Sequence, residues 1–579
     1  MRRSLFLCGA LFLLSCQDPS GSDTGSTHSQ AIRHDQTWAR SDSPHIVRGL
    51  VYVVQGATLT IEAGATVQFA PQSALILRDG SRLAVMGNAS RPITMGNLDP
   101  ADGPGAWIGV ILRSNTTSEM HYVDLSGCGY DVVLDSMPQG CVNLGNPYVP
   151  GEAPVLLVDH VTVHDASGGG VMLTDSAAFA PGSAVLSAHD MHGFVATLRA
   201  ANAASFPLGG TFSANDSNEV RLRGDVLATS QTWALGIPWT PTGNVLIQGS
   251  SNPVLTIPAG STLHLGGALL VGRDAPGGLS IGADGGAPTT LSSRSSTPWP
   301  GILFYENAGS ATIANTTLEA CGGQGGGCVL LQGSYAGGPA PTATLHNVTI
   351  HNAVGTGIGL GNRGRLGPGS GNLTITGTTG PPFIVYLSSP GGIPPGQYSG
   401  NTQDVIYLIQ VEVRQDETFL KHDVPYFIYN FIEVGDQTNH PTLTLEPGVT
   451  LISTGAVAIT VGATEPGALH AVGTSAEPIT FTGDQPHSGS WTGIVIGAHA
   501  EASTIFDHTI VDNAGAPFPI PGAFHFYVDL GPIIHNSIIR NSSGCGILII
   551  NGLPWSTDFT APALGNSFSN NTLGDVCGP

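Results

Sequence analysis

Two histidine–aspartate groupings stand out among the side chains able to do acid–base or metal chemistry. Asp159, His160, His164 and Asp165 crowd into one short stretch, and His189-Asp190-Met191-His192 follows. Imidazole beside carboxylate shuttles protons near neutral pH or ligates a metal. The first grouping is degenerate, however. His346/Asn347/His351/Asn352 and His535/Asn536/Arg540/Asn541 occupy matching places later in the chain. A catalytic constellation is unique to its site, so these read as polar turn and solvent-face residues. The second grouping has no counterpart and is read as a solvated turn, as are His121 and His508. The cysteines show no CxxC or Cys/His ligand spacing, and no HExxH or EF-hand loop occurs. No metal site and no cofactor are expected.

The overall balance narrows the function further. The chain has 579 residues with 19 Lys+Arg against 41 Asp+Glu, a net charge of −22. The only lysine is Lys421, so a Schiff-base lysine has one candidate and a Walker-type GK[ST] is absent. A polybasic face for nucleic acid or anionic lipid is excluded. Glycine, at 80 residues, has about twice its usual share. Hydrophobic residues at 41% argue against wholesale disorder.

Short strands must position whatever the chain binds. Gln36-Thr37-Trp38, Gln231-Thr232-Trp233 and Glu417-Thr418-Phe419 open three segments, spaced by 195 and 186 residues. Each then carries the same phrases in the same order. LTIEAGATVQF from Leu59 matches LTIPAGSTLHL from Leu255 and LTLEPGVTLIS from Leu443. RPITMGN from Arg91 matches APTTLSS from Ala287 and EPITFTG from Glu477. Trp107-Ile108-Gly109, Trp299-Pro300-Gly301 and Trp491-Thr492-Gly493 follow, then VDHVTVHDASGGGVML from Val158, LHNVTIHNAVGTGIGL from Leu345 and IHNSIIRNSSGCGILI from Ile534. Leu59 and Ile61 alternate with Thr60 and Glu62, the period of a half-buried strand. No sustained helical stripe appears, and no 40–50-residue period supports a propeller. Asn347, Asn352, Asn536, Asn541 and Asp165 are expected at bends between stacked strands.

On these phrases the chain resembles the right-handed parallel β-helix repeat proteins of bacterial surfaces. The resemblance covers residues 36–579 and implies an all-β solenoid of three tandem super-repeats of about 190 residues, at 36–230, 231–416 and 417–579. At about 20–25 residues per coil, twenty-odd coils stack to about 100 Å. Many β-helices degrade polysaccharides, but the N-x-D, D-D, G-H-G and R-x-K signatures of the pectin-degrading families are missing here as a set. Trp107, Trp299 and Trp491, each placed before a glycine, suit a packed strand start better than a sugar platform. The expected function is a non-catalytic scaffold binding a polysaccharide, matrix or surface protein. A polysaccharide lyase or glycoside hydrolase is the alternative.

The N-terminus resembles a bacterial lipoprotein signal. Met1-Arg2-Arg3 precedes an apolar run from Leu5 to Leu14, too short to span a bilayer, and Leu13-Leu14-Ser15-Cys16 resembles the lipobox. The resemblance implies removal of 1–15, acylation of Cys16 and anchoring in a lipid bilayer. Gln17 in place of Asp favours the outer membrane. Residues 16–35 read as a flexible tether.

Six cysteines remain in the body. Cys128 and Cys141 recur in the second copy as Cys321 and Cys328, and both are lost together from the third. That joint gain and loss pairs Cys128 with Cys141 and Cys321 with Cys328, and elimination pairs Cys545 with Cys577. Even pairing fits an oxidising compartment. The last pair is expected to hold a terminal cap over the final coil.

Overall fold

The computed structural model describes residues 25–130, 140–145, 153–174, 176–234, 236–323, 326–335, 338–388, 390–456, 458–516, 521–550 and 555–578. The expected signal peptide and Cys16 lie outside the described residues. Alternation of apolar and polar residues produces short strands, and these stack in parallel ladders. Thr58–Glu62, Thr66–Phe69 and Ala74–Leu77 form three faces of one coil. Each pairs in parallel with its successor: Arg82–Met86, Ile93–Asn97 and Gly109–Leu112. The inward positions Leu59, Ile61, Val67, Phe69, Leu75 and Leu77 are all fully buried, and one continuous apolar core runs from Ile32 to Phe559. The chain is therefore a parallel β-solenoid whose regular structure is nearly all strand. Coil length varies more than expected. Stacked hydrogen-bond partners are 23 residues apart at Ser43–Thr66 but 38 apart at Asn115–Ala153, because residues are added outside the strands.

Corners are made by single residues in the left-handed conformation. Within Val155–His164 and Thr342–His351 the strand turns onto the next face at His160 (φ 57°) and Asn347 (φ 53°). Asp165, Asn352, Asn536 and Asn541 have φ of 47°, 54°, 46° and 56°. Asn and Asp tolerate this region best among residues with a side chain. Their amides also stack, Asn372 donating to Asn347 Oδ1 at 2.9 Å and Asn570 to Asn541 Oδ1 at 3.1 Å.

The three tryptophans do one job. Trp107, Trp299 and Trp491 are buried, and each indole N–H donates to a carbonyl of the next coil, at Ser126 (2.9 Å), Glu319 (3.0 Å) and Asp512 (2.9 Å). The glycine two residues later is required by close approach. Gly109 and Gly493 have φ of 134° and 122°, and a Cβ there would lie 2.6 Å from the Cys141 carbonyl oxygen and 2.5 Å from that of Ala523. These tryptophans are core residues, not sugar platforms.

Disulfides join Cys128 to Cys141, Cys321 to Cys328 and Cys545 to Cys577. In the segment that lacks a pair, Ala514 and Ala523 are fully buried instead. The last disulfide holds a strand. Cys577 lies in the strand Gly574–Cys577, which pairs with Cys545–Ile549, so the bond ties the final rung to the coil beneath it. In the segment before that rung, Trp555 and Phe559 pack against Phe526 at the end of the core. A Cys577→Ser variant is expected to lose about 2–3 kcal/mol of local stability and gain new cleavage after residue 555 in limited proteolysis. An unchanged cleavage map would contradict this role.

The expected tether is shorter than composition suggests. Ser26–His28 pairs with His45–Val47, and the His28 ring stacks 4.2 Å from Trp38. Residues 26–35 thus belong to the first coil, because an aromatic contact seats them on the open end of the core. Burial there depresses His28 to about 4.

Candidate functional site

The histidine–aspartate grouping of the first segment forms a surface network. His164 sits between Asp124 (Nε2–Oδ1 2.8 Å) and Asp165 (Nδ1–Oδ2 2.7 Å), one coil apart, and stacks on His189 at 5.0 Å. The two carboxylates, Asp124 foremost, hold its imidazolium so that its pKa rises to about 9. His160 bonds Asp159 at 2.7 Å and stacks on Tyr122 at 4.3 Å, and His189 bonds Asp190 at 2.8 Å. His192 and Asp216 are 3.7 Å apart and exposed, and His508 pairs with Asp507 at 2.9 Å. Each carboxylate thus meets an imidazole of its own or a neighbouring coil. Among the described residues no group of three or more His, Cys, Asp or Glu has metal-binding geometry. A string that spells a nucleophile motif, Gly278-Leu279-Ser280-Ile281-Gly282, covers the strand Gly277–Ile281 from its second residue and ends one residue past it. No helix follows it, so the sharp strand-to-helix elbow is absent.

The site that residue spacing did not bring together lies between 326 and 439. Outward positions of consecutive coils form one column there: Val226, Leu246, Leu270, Leu303, Leu330, Gly359, Ile384, Tyr407, Phe427 and Ile452, each in register with the next. Nine of the ten carry apolar side chains, while their strand neighbours point into the core. Tyr407 and Phe427 stack at 5.1 Å, Tyr429 is 56% exposed, and Tyr335 is 76% exposed and meets Tyr386 edge-on at 6.5 Å. Leu330, Gly359, Ile384, Tyr386 and Ile409 line a groove of about 480 Å³.

No family model, curated protein or solved structure matches this chain.

Beside the apolar groove lies a second of about 650 Å³, lined by Tyr335, Arg363, Arg365, Arg414, Asp416 and Glu417, with Glu412, Asp436 and Asn439. Arg414 is held by Glu412 (2.8 Å) and Glu465 (3.3 Å). Arg363 Nη2 donates to the Gly338 carbonyl at 3.0 Å. Backbone N–H groups of Asn439 (2.8 Å) and Thr438 (2.9 Å) keep the Asp436 carboxyl below its usual range. Glu417 behaves oppositely. Burial raises it to about 7, against a bond from the Gly391 N–H (2.6 Å) and the charge of Arg365.

In sequence these residues are scattered over a hundred positions and match no motif. The one legible signal was aromatic enrichment in FIVY, VIYLI and PYFIYNF from Phe383, Val405 and Pro425.

Proposed function

We propose that the chain is a right-handed parallel β-helix of three tandem super-repeats, tethered by acylated Cys16 to the outer membrane, whose side face binds a glycan without transforming it. The matching indole hydrogen bonds of Trp107, Trp299 and Trp491 support the three-copy reading. The lipobox-like Leu13–Cys16 supports the anchor. The observation that carries the binding function is the junction of two surfaces. Tyr335 and Tyr386 join an exposed aromatic and aliphatic face to a groove of carboxylates, guanidinium groups and amides. Sugar rings present apolar C–H faces and hydroxyl edges, and this face offers a partner for each. An exposed apolar surface of this extent on a secreted chain marks an interaction site.

Affinity electrophoresis through gels containing soluble polysaccharides tests the reading. The chain is expected to be retarded by at least one, and Tyr407→Ala with Phe427→Ala is expected to abolish the retardation while leaving thermal unfolding unchanged. Equal mobility in every gel would refute it.

One observation favours hydrolysis as a second reading. Burial raises the Glu417 carboxyl to about 7 in a groove that also holds Asp416 and Glu412, as suits a general acid beside a general base. New reducing ends released by the chain, and lost in Glu417→Gln, would establish it.

A further inference from the structure

The outer column has a direction, and the adjoining groove has a charge state. Together they specify the ligand more closely, resting on the glycan reading above. From Val226 to Ile452 the column crosses ten rungs, so at about 4.8 Å per rung it is about 43 Å long. It runs along the rod axis because its members are register partners in parallel ladders. Across the axis the surface is narrow. Strands contribute one outward residue between two buried ones, as at Ile302–Phe304 and at Val329, Leu330 and Leu331. A ligand that uses this surface lies lengthwise and presents a similar apolar face at successive coils. An extended polysaccharide chain has that form, and a compact oligosaccharide does not.

Charge decides which polysaccharide. An anionic chain needs cations with donors to spare. The guanidinium groups beside this face are largely engaged. Arg414 is neutralised by Glu412 and Glu465, and Arg363 donates to a carbonyl. Asp416 and Asp436 add carboxylates to the same groove, on a chain of net charge −22. Uronates or sulfates would meet repulsion there. Neutral hydroxyl groups instead find acceptors in the carboxylates of Asp416 and Asp436.

We propose that this face binds a neutral, hydroxyl-rich polysaccharide lying along the rod across the coils from Leu330 to Ile452, with sugar rings packed on Tyr407 and Phe427. The test uses the full chain against neutral polysaccharides (glucan, mannan, xylan, galactan) and anionic ones (polyuronate, sulfated galactan) at low and high salt. For the neutral chain that binds, a length series of its oligosaccharides is measured by calorimetry. Binding is expected to be confined to neutral chains, insensitive to salt, and to strengthen from two to at least six sugar units. Ile384→Asp and Ile452→Asp, at separate rungs, are each expected to weaken the long oligosaccharides about tenfold and the disaccharide little. Salt-sensitive binding of anionic chains would overturn the proposal while leaving the glycan reading intact. Affinity that levels off at a disaccharide would overturn the axial placement. Failure of every polysaccharide would overturn the glycan reading itself.

Discussion

Trp107→Ala is expected to destabilise the coils around it by about 3–5 kcal/mol, the range for truncating a buried indole. Three losses combine at this position. The ring is fully buried and stacks on Phe69 with centroids 3.7 Å apart, and its N–H satisfies the Ser126 carbonyl on the next coil at 2.9 Å. Removing the side chain opens a cavity and strands a buried acceptor. Because a solenoid's coils depend chiefly on their neighbours, the damage should be local. Hydrogen exchange should accelerate at Thr66–Phe69, Ile93–Asn97 and Thr117–Ser126 and stay unchanged at Thr450–Ser453. Trp107→Phe separates the terms, since it keeps most of the packing and loses the hydrogen bond, at about 1–2 kcal/mol. Uniform loss of protection along the whole rod would contradict the nearest-neighbour picture.

Glu417→Gln is expected to stabilise the chain at alkaline pH. The carboxyl has its pKa raised from 4.5 to about 7 by burial, so the folded chain holds a proton that the unfolded chain releases. Stability from this group is therefore complete below about pH 4.5 and is lost as pH rises through 7. Glutamine mimics the protonated form at every pH and still accepts from the Gly391 N–H. Gln231 already fills the matching place in the second segment, donating to the Ala201 carbonyl at 2.7 Å. At pH 8 the variant should gain about 1–3 kcal/mol around residues 390–446, with no difference at pH 4. Hydrogen exchange at the two pH values, corrected for intrinsic rate, measures this. A variant less stable at pH 8 would mean that the charge is needed for Arg365.

Sequence alone determined the solenoid's local grammar. Alternation marked the strands, and the recurrence of W-x-G located the tryptophan–glycine pairs whose tight backbone approach needs a missing Cβ. Asn347, Asn352, Asn536 and Asn541 were legible as bends because few other residues accept positive φ. These are short-range demands, written within a few residues. The expected tether failed at residues 26–35 because Ser26–His28 is ordered by Trp38 and His45, which composition does not register. That Cys577 is itself part of a rung was not legible either, since its strand partner Leu548 lies a whole coil earlier. The candidate site was invisible for a stronger reason. Ile384, Tyr407, Phe427 and Ile452 become neighbours only when coils of unequal length stack in register, and Arg365 meets Glu417 only across two coils. Coil length is set outside the strands, where the chain has no period to read. The tertiary structure therefore decided which outward residues form one surface.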